Sequence, residues 1–369
     1  MLTSIANPDK MGSYGEDDVI FLLRDIGHSV IETATEEREG LIQGGTHYSE
    51  MLPVEYQPNE DYISLFHDTL ELYAKRIAVA VGVVAEQIKR RNGLDELVLV
   101  SLARAGTPIG VLIKRYLQRK YQVTVPHYSI SIIRGRGIDE RAIDYIFEQH
   151  AKAEIQFVDG WTGKGAIATE LEEACLNYNA THINKIDASL AVLADPGHCV
   201  QIYGTRDDFL IPSACLNSTV SGLVSRTVLN YNFMDKGDFH GAKYYKELAD
   251  VDVSNLYVDT VEHEFDNVQS EVQQALEAIE QEDAIPSWKG LQSVELIQQR
   301  FAIDNQHFIK PGVGETTRVL LRRVPWKILV NPVLANDLTH IMMLAKERNV
   351  PIEEFTEMSY SCCGLIKEL

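Results

Sequence analysis

The fold is decided by LVLVSLARAGTPIG, residues 97–110, in which a short apolar run leads directly into a helix start. An unbroken apolar run of this length is typical of a strand that is buried on both faces. Thr107 and Pro108 suit the cap and the first position of a helix, because threonine accepts from a free helix N–H and proline needs no donor there. The stretch predicts a strand and then a helix that runs to about Tyr121.

The same alternation continues on the C-terminal side. Apolar runs at 128–133, 155–158 and 189–193 predict strands, and 140–150 and 166–178 predict helices between them. Short buried strands that alternate with helices are typical of a parallel α/β sheet. We therefore expect a doubly wound, mainly parallel sheet whose ligands bind beyond the carboxyl ends of its strands.

Two helices are predicted before this sheet. Residues 61–91 carry apolar side chains at helical spacing and predict one long helix with a break near Gly82. Nearer the N-terminus, Ser13 and Glu16 have the spacing of a capping box, which predicts a helix over the apolar residues that follow. Both segments are interpreted as a helical extension covering residues 1–90.

Changes in composition predict the domain boundaries. The sheet pattern ends before an acidic, weakly apolar helical stretch, so we expect an α/β domain at 1–260 and a helical linker at 261–304. A second, shorter alternation of apolar runs and helix predicts a small α/β domain at 305–369.

Composition narrows the class of protein. The 369 residues carry a formal net charge of −20, which argues against nucleic-acid binding by the whole surface. No apolar run approaches the roughly 20 residues of a membrane helix, and the N-terminus has no signal-peptide pattern. The five cysteines are irregularly spaced, without a zinc or disulfide pattern. We expect a cytoplasmic protein with free thiols and no membrane partner.

The loop after the strand at 155–158 combines an acid, glycines and a lysine. Glycines let backbone amides approach a phosphate closely, and a carboxylate at a strand end accepts hydrogen bonds from sugar hydroxyls. The alternative is a tight turn with a solvated lysine, and the loop is too short for the P-loop of nucleoside triphosphatases. The candidate residues are Asp159, Thr162, Gly163, Lys164 and Gly165.

Two arginine-containing loops follow the neighbouring strands. One enters a helix amino terminus, where free N–H groups and a guanidinium favour an anion; an ordinary strand-to-helix turn is the alternative. The other is rich in glycine and arginine and predicts a lid that carries charge over phosphates; a surface loop is the alternative. Three loops at one sheet edge, each suited to binding an anion, indicate a ligand with phosphates at two ends. The candidates are Arg104, Ala105, Gly106 and Thr107 in the first loop and Arg134 and Arg136 in the second.

Together these motifs resemble a type I phosphoribosyltransferase. More closely, the chain resembles a family associated with bacterial tellurite-resistance and stress gene clusters, described both as phosphoribosyltransferase-like and as cysteine protease StiP. The stretches that carry the resemblance cover most of the first 230 residues or so: GSYGEDDVIFLL (12–23), EGLIQGGTHYSEMLP (39–53), SLARAGTPIG (101–110), HYSISIIRGRGID (127–139), FVDGWTGKGAI (157–167) and LADPGHC (193–199).

The resemblance implies an enzyme that binds phosphoribosyl pyrophosphate (PRPP) and transfers phosphoribose to or from an unidentified base or nucleotide. It implies that Asp159 binds the ribose hydroxyls and Mg²⁺, and that residues 162–165 bind the 5′-phosphate. It further implies that residues 104–106 form a pyrophosphate loop, often with a non-proline cis peptide, and that Arg134 and Arg136 carry the charge of the lid.

The chain departs from the usual transferase pattern at two positions. Gly160 stands where such enzymes carry a second acid, and Lys164 stands where they carry a threonine. A PRPP or nucleotide sensor without catalysis is therefore a further alternative, and a homodimer is left open.

Residues 309–369 resemble a pelota-type RNA-binding domain, in the stretches IKPGVGETTRVLLRRVPWKILV (309–330) and MSYSCCGLIKEL (358–369). Basic residues concentrate there on an acidic chain, which favours contact with RNA phosphates; a solvated helix face is the alternative. The candidate RNA-binding residues are Arg318, Arg322, Arg323 and Lys327.

A cysteine protease is the competing enzyme hypothesis. It needs a thiolate, a histidine base and an orienting group. The candidates are Cys215, Cys199, His47, His198 and Asp195. No cysteine lies in a papain or caspase signature, so a buried structural thiol is the alternative for each. Glu50 is a further candidate beside His47, because polar groups crowd the loop GGTHYSE.

Overall fold

The computed structural model of the chain describes residues 5, 7–30, 32–33, 41, 44–55, 58–232, 234–281, 285–322, 325–335 and 337–366. The strands in these residues are β1 (Ile20–Phe21), β2 (Arg24–Asp25), β3 (Glu32–Thr33), β4 (Leu52–Pro53), β5 (Leu97–Ala103), β6 (His127–Ile133), β7 (Gly137–Ile138), β8 (Glu154–Trp161), β9 (Leu190–Ala194), β10 (Ile202–Thr205), β11 (Gly241–Ala242), β12 (Ile309–Pro311), β13 (Lys327–Val330), β14 (Ile352–Glu354) and β15 (Cys362–Leu365). The helices are α1 (Glu60–Asn92), α2 (Gly106–Tyr121), α3 (Glu140–Gln149), α4 (Ala166–Thr181), α5 (Ser254–Glu262), α6 (Gln269–Ile279), α7 (Lys289–Phe301), α8 (Val313–Arg322) and α9 (Thr339–Glu347).

A mainly parallel sheet forms the centre of the molecule. Its strands lie in the order β1-β6-β5-β8-β9-β10, all parallel along this path, and only β7 pairs antiparallel, with β6. The mixed α/β architecture expected from the alternating apolar runs is confirmed. The carboxyl ends of β5 and β8 meet at one edge, where polar loops follow both strands.

Helices cover both faces of this sheet. On one face, Val81 of α1 and Ile113 of α2 are completely buried in the larger apolar core. On the other face, Ile143 of α3 and Leu171 of α4 are completely buried in a second core. Burial on both sides explains why the strands have continuous apolar runs rather than an alternating pattern.

The helix predicted after Ser13 is wrong, because the segment enters the sheet as β1. Leu22 N–H donates to Ser129 O of β6 at 2.9 Å. Phe21 and Leu23 belong to one core and Leu22 to the other, so successive side chains point to opposite faces of the sheet. Pairing with a distant strand therefore overrides the local capping pattern.

The predicted break at Gly82 is also wrong. Helix α1 runs without interruption from Glu60 to Asn92. A Cβ atom at Gly82 would lie 2.6 Å from Val272 Cγ2 and 3.0 Å from the Tyr116 ring, so the glycine permits α2 and α6 to pack closely on α1. Within the described residues no helix combines the length and the apolar character that a membrane crossing needs.

The C-terminal residues form a second, four-stranded sheet in the order β12-β15-β13-β14. This sheet is anchored to the first domain by Asp208, which follows β10. The Asp208 carboxylate accepts from Val313 N–H and Ser361 N–H, each at 2.8 Å. An ion pair of 2.8 Å between Arg76 and Asp337 adds a second link. The loops beyond the central sheet therefore face the C-terminal domain.

Candidate functional site

A cleft of about 350 Å³ lies beyond the carboxyl end of β8. The first domain contributes Asp159, Thr162 and Lys164 to its lining, and the C-terminal domain contributes His307 and Lys310. The cleft thus lies at the junction of the two domains. It contains the whole predicted phosphate loop, including Gly163 and Gly165.

The phosphate loop is held in one conformation by contacts on both sides. Thr162 N–H donates to Ala194 O of β9 at 3.0 Å, and the Thr162 hydroxyl donates to the Asp195 carboxylate. Gly165 precedes α4 with a φ of 85°, which favours glycine, and a Cβ atom there would lie 2.2 Å from the Trp288 ring. The lack of a side chain at Gly165 therefore permits a close approach to Trp288 that a larger residue would prevent.

Asp195 supports this loop from beneath. Its side chain has no exposed surface, and it accepts from Cys199 N–H at 2.9 Å and pairs with the Arg206 guanidinium. Desolvation raises the pKa of Asp195, and these hydrogen bonds and the Arg206 charge oppose the rise. Asp195 is absent from the lining of the cleft, so its role in this structure is to position Thr162.

Asp159 faces the cleft from the end of β8. One carboxylate oxygen accepts from Gly160 N–H at 2.7 Å. Desolvation raises the pKa of Asp159 to about 7, with the Gly160 hydrogen bond acting in the opposite direction. The group therefore changes its protonation near neutral pH, where either form can bind a hydroxyl.

The loop after β5 approaches the cleft through its backbone. It contains a cis peptide between Ala103 and Arg104, as the resemblance implies. The Arg104 guanidinium turns toward Val224 O at 3.2 Å and Glu55 at 3.4 Å, and the Thr107 hydroxyl bonds Ser129 inside the core at 2.8 Å. Of this loop, Ala105 lines the cleft.

The predicted lid is the tight turn between β6 and β7. Its amides at Gly135 and Gly137 donate to the Glu170 carboxylate at 2.7 and 2.8 Å. Arg134 lines the cleft. Arg136 instead pairs with Glu50 at 2.5 Å, so the two predicted lid charges lie apart.

The loop that contains His47 and Glu50 braces this turn. His47 Nδ1 bonds the Ser49 hydroxyl at 2.8 Å, where it caps a short 3₁₀ helix. The Tyr48 hydroxyl accepts from Arg134 N–H at 2.8 Å. The polar side chains that crowd GGTHYSE therefore support the turn that was predicted as a lid.

Positive charge accumulates in the cleft. Lys164 Nζ donates to Gln306 O at 2.7 Å. Burial and the nearby charges of Lys310 and Arg134 lower the pKa of Lys164 to about 8. Burial, Lys164, Arg134 and Lys310 likewise lower the pKa of His307. An anion in the cleft would relieve this mutual repulsion.

The thiols lie in apolar surroundings. All five cysteines are buried, and desolvation raises the pKa of Cys175, Cys199 and Cys215 to about 12. Desolvation also raises the pKa of Cys362 and Cys363. Cys199 contacts the phosphate loop, with Sγ 3.7 Å from Gly163 O. A thiolate nucleophile is therefore disfavoured in this conformation.

The predicted RNA-binding residues have different surroundings. Arg318 contacts the Asn217 side chain of the first domain at 3.2 Å, and Lys327 pairs with Glu353 at 2.5 Å. Arg322 lies at the end of α8, and Arg323 lies outside the described residues. Arg318 and Lys327 are therefore each engaged by a side chain of the protein itself.

Sequence reasoning missed the residues that the C-terminal domain brings to the loop. The Tyr360 hydroxyl donates to Gly163 O at 3.1 Å, and Gly290 N–H donates to Gly197 O at 2.9 Å. His307 lines the cleft without any motif of its own. The available signal was the charge of Lys310, which lies in the basic stretch 309–330, but no sequence pattern connects it with the loop.

Comparisons with known proteins identify the two parts of the chain. A sequence model described as tellurite-like stress resistance cysteine protease StiP matches residues 12–262, and a model of the PELOTA RNA binding domain matches residues 288–368. A protein named cysteine protease StiP, from Acinetobacter baylyi (strain ATCC 33305 / BD413 / ADP1), is 34% identical over 376 residues, which cover 97% of this chain and 94% of that protein. These names agree with the family and the RNA-binding domain implied by the resemblance, and with the protease alternative rather than the transferase. The chain belongs to the StiP family of stress resistance proteins and carries a C-terminal PELOTA domain.

Proposed function

We propose that this StiP-family chain is a phosphoribosyltransferase-like enzyme that binds PRPP and transfers phosphoribose to or from an unidentified base. The observation that carries the proposal is the cleft at the carboxyl edge of a parallel sheet, which joins an acid to a glycine-rich, lysine-containing loop. This combination suits a sugar that carries a phosphate.

Each part of the cleft has a role in this proposal. The amides around Gly163 and the Lys164 ammonium hold the 5′-phosphate, and Asp159 accepts from the ribose hydroxyls. As the bond from ribose C1 to pyrophosphate breaks, negative charge grows on the pyrophosphate oxygens, and Arg134 stabilises it. Arg104 is engaged with Glu55 and Val224, so the backbone at Ala105 takes its place at the pyrophosphate.

A magnesium ion fits this cleft only as a companion of the ligand. Asp159 and Glu315 are the carboxylates that line it. The described residues contain no group of three or more histidine, cysteine or acidic side chains placed to hold a metal. Mg²⁺ commonly binds through one or two carboxylates together with substrate phosphates, and it would neutralise pyrophosphate charge there beside Asp159.

The proposal predicts that PRPP with Mg²⁺ stabilises the protein against heat. Ligand at a hundredfold excess over its dissociation constant adds about 2.7 kcal/mol, which corresponds to roughly 3–4 °C for a chain of this size. Ribose 5-phosphate should give a smaller shift, because it lacks the pyrophosphate contacts. Differential scanning fluorimetry measures both shifts.

Two variants test whether the cleft is responsible. Asp159→Asn keeps an acceptor for Gly160 N–H, and Gly163→Val points into open space, since its Cβ would lie no closer than 3.9 Å to Pro311. Both should fold normally and lose most of the PRPP shift, whereas Asp250→Asn, an exposed acid elsewhere, should keep it. Absence of a shift in the unmodified protein at millimolar PRPP and Mg²⁺ would remove the transferase proposal.

A cysteine peptidase is the second candidate, and the names of the matching family and of the relative favour it. It requires a reactive thiolate, and the Cys199 thiol contacts Gly163 of the phosphate loop. Burial would have to be relieved before Cys199 could ionise at neutral pH.

We expect no cysteine of the native protein to react selectively with an alkylating probe at pH 7.5, because each thiol is buried with a raised pKa. Mass spectrometry after timed iodoacetamide treatment measures the labelling of each cysteine, with urea-unfolded protein as the reference. Rapid labelling of Cys199 alone, together with loss of peptide cleavage in Cys199→Ala, would establish the peptidase instead.

We also propose that the C-terminal domain contacts RNA, which the match to the PELOTA RNA binding domain supports. Lys310 is the basic residue of this domain that lines the cleft. RNA bound to the C-terminal domain at Lys310 would then lie next to the sugar-phosphate cleft.

A further inference from the structure

The cleft has two walls that come from different domains. The wall opposite the phosphate loop is made by Lys310 and Pro311 of β12, by Glu315 of α8 and by His307 before β12. Phosphate loops of strand-to-helix type need only their own amides and helix terminus to hold an anion. The second wall therefore adds groups that the loop itself does not supply.

Direct contacts fix the distance between the walls. Lys164 Nζ bonds Gln306 O at 2.7 Å, and the Tyr360 hydroxyl bonds Gly163 O at 3.1 Å. Asp208 holds the start of α8 through Val313 N–H at 2.8 Å. Lys310 is consequently held over the loop by the same contacts that dock the domain.

Both walls of the cleft contribute basic side chains. Lys164 and Arg134 come from the first domain and Lys310 comes from the second, and His307 of the second domain adds a positive charge when its ring is protonated. Two carboxylates, Asp159 and Glu315, also line the cleft and partly offset this charge. A group with two negative charges and several acceptor oxygens matches such a cluster, because each cation can donate to a different oxygen.

We infer that the C-terminal domain completes the phosphate site, so that Lys310 and His307 bind the same phosphate monoester as Lys164 and the loop amides. This inference rests on the proposed function for the position of the phosphate. The monoester has two sources: a small sugar phosphate, or the 5′-phosphate end of an RNA chain held by the C-terminal domain. The chemistry that the cleft recognises is the same for both.

The test is titration of the full-length protein with ribose 5-phosphate by isothermal calorimetry. Lys310→Gln should weaken binding about tenfold, the usual effect of losing one charge-assisted hydrogen bond. Lys346→Gln removes the same charge from an exposed position on α9 and should leave the affinity within about twofold. His307→Gln should weaken binding at pH 6 more than at pH 8, since only the protonated ring carries charge.

A second arm identifies the source of the phosphate. Fluorescence anisotropy compares one RNA decamer with a 5′-phosphate and with a 5′-hydroxyl. Tighter binding of the phosphorylated form that is lost in Lys310→Gln assigns the RNA end, and loss confined to ribose 5-phosphate assigns the small sugar phosphate. Unchanged affinity of Lys310→Gln for both ligands would overturn the inference.

The two proposals fail in different ways. If PRPP shifts the melting temperature and Lys310→Gln keeps full affinity, the inference is wrong and the transferase proposal stands. If ribose 5-phosphate binding depends on Lys310 but PRPP gives no shift, the two-domain phosphate site stands and the transferase proposal falls.

Discussion

Replacing Arg206 with methionine should lower the free energy of unfolding by about 3–5 kcal/mol, since it leaves the buried Asp195 carboxylate without its cation. Asp195 has no exposed surface, and Arg206 pairs with it directly. Methionine retains a long side chain for packing against the Tyr203 ring, which the guanidinium approaches to 3.8 Å. Urea-induced unfolding followed by circular dichroism measures the loss.

The pH dependence separates lost charge from lost packing. Desolvation raises the folded-state pKa of Asp195, so the folded protein holds this proton more tightly than the unfolded chain. The contribution of Asp195 to stability therefore falls as the pH rises above the unfolded-state value of about 3.9. Removing Arg206 raises the pKa further, so the deficit should be larger at pH 8 than at pH 5.

The double variant Asp195→Asn with Arg206→Met is the matched control, because it removes both charges. It should recover part of the loss at pH 8. An equal deficit at both pH values, with no recovery in the double variant, would mean that packing on Tyr203 accounts for the effect.

Gly106→Ala should destabilise the protein by about 1–3 kcal/mol and abolish binding of sugar phosphates. A Cβ atom at Gly106 would lie 2.4 Å from Val158 O and 3.0 Å from Asp159 Cα. Both atoms belong to the backbone of β8, so relief requires a shift of the strand that carries Asp159. Urea unfolding and calorimetry with ribose 5-phosphate measure the two effects.

Gly237→Ala is the control for this substitution, because no atom lies within 4 Å of the Cβ position there. Its stability should stay within about 0.5 kcal/mol of the unmodified protein. Normal stability and binding in Gly106→Ala would show that the loop after β5 can move away from β8 at little cost.

The central sheet could be predicted because a strand that is buried on both faces has a continuous apolar run in its own sequence. The strands β5, β6, β8 and β9 each begin or end within a few residues of the predicted apolar runs. The segment after Ser13 has a similar apolar run at 19–23, but the spacing of Ser13 and Glu16 favours a helix start there. Its two-residue strand is set by Ser129 of β6, a partner that lies far along the chain.

Sequence patterns identified the candidate residues of the first domain but not those of the C-terminal domain. Asp159 and Lys164 carry their chemistry in one short loop, and the strand before them places that loop at the sheet edge. His307 and Lys310 have no motif that links them to it, because their position depends on how Asp208 docks the C-terminal domain. The direction of Arg104 depends on Glu55 and Val224, which local patterns do not reveal.

The pairing of the first strands determines when the amino-terminal segment can fold during synthesis. Strand β1 needs β6, and β2 needs β11, which contains Ala242 and is translated about 200 residues later. At about 5–20 residues per second, β2 waits roughly 10–40 s for β11, and β1 waits about half as long for β6, which begins at His127. Until β6 is synthesised, Leu22 and Leu23 have no sheet to bury them, so we expect chaperones to bind this segment of the nascent chain.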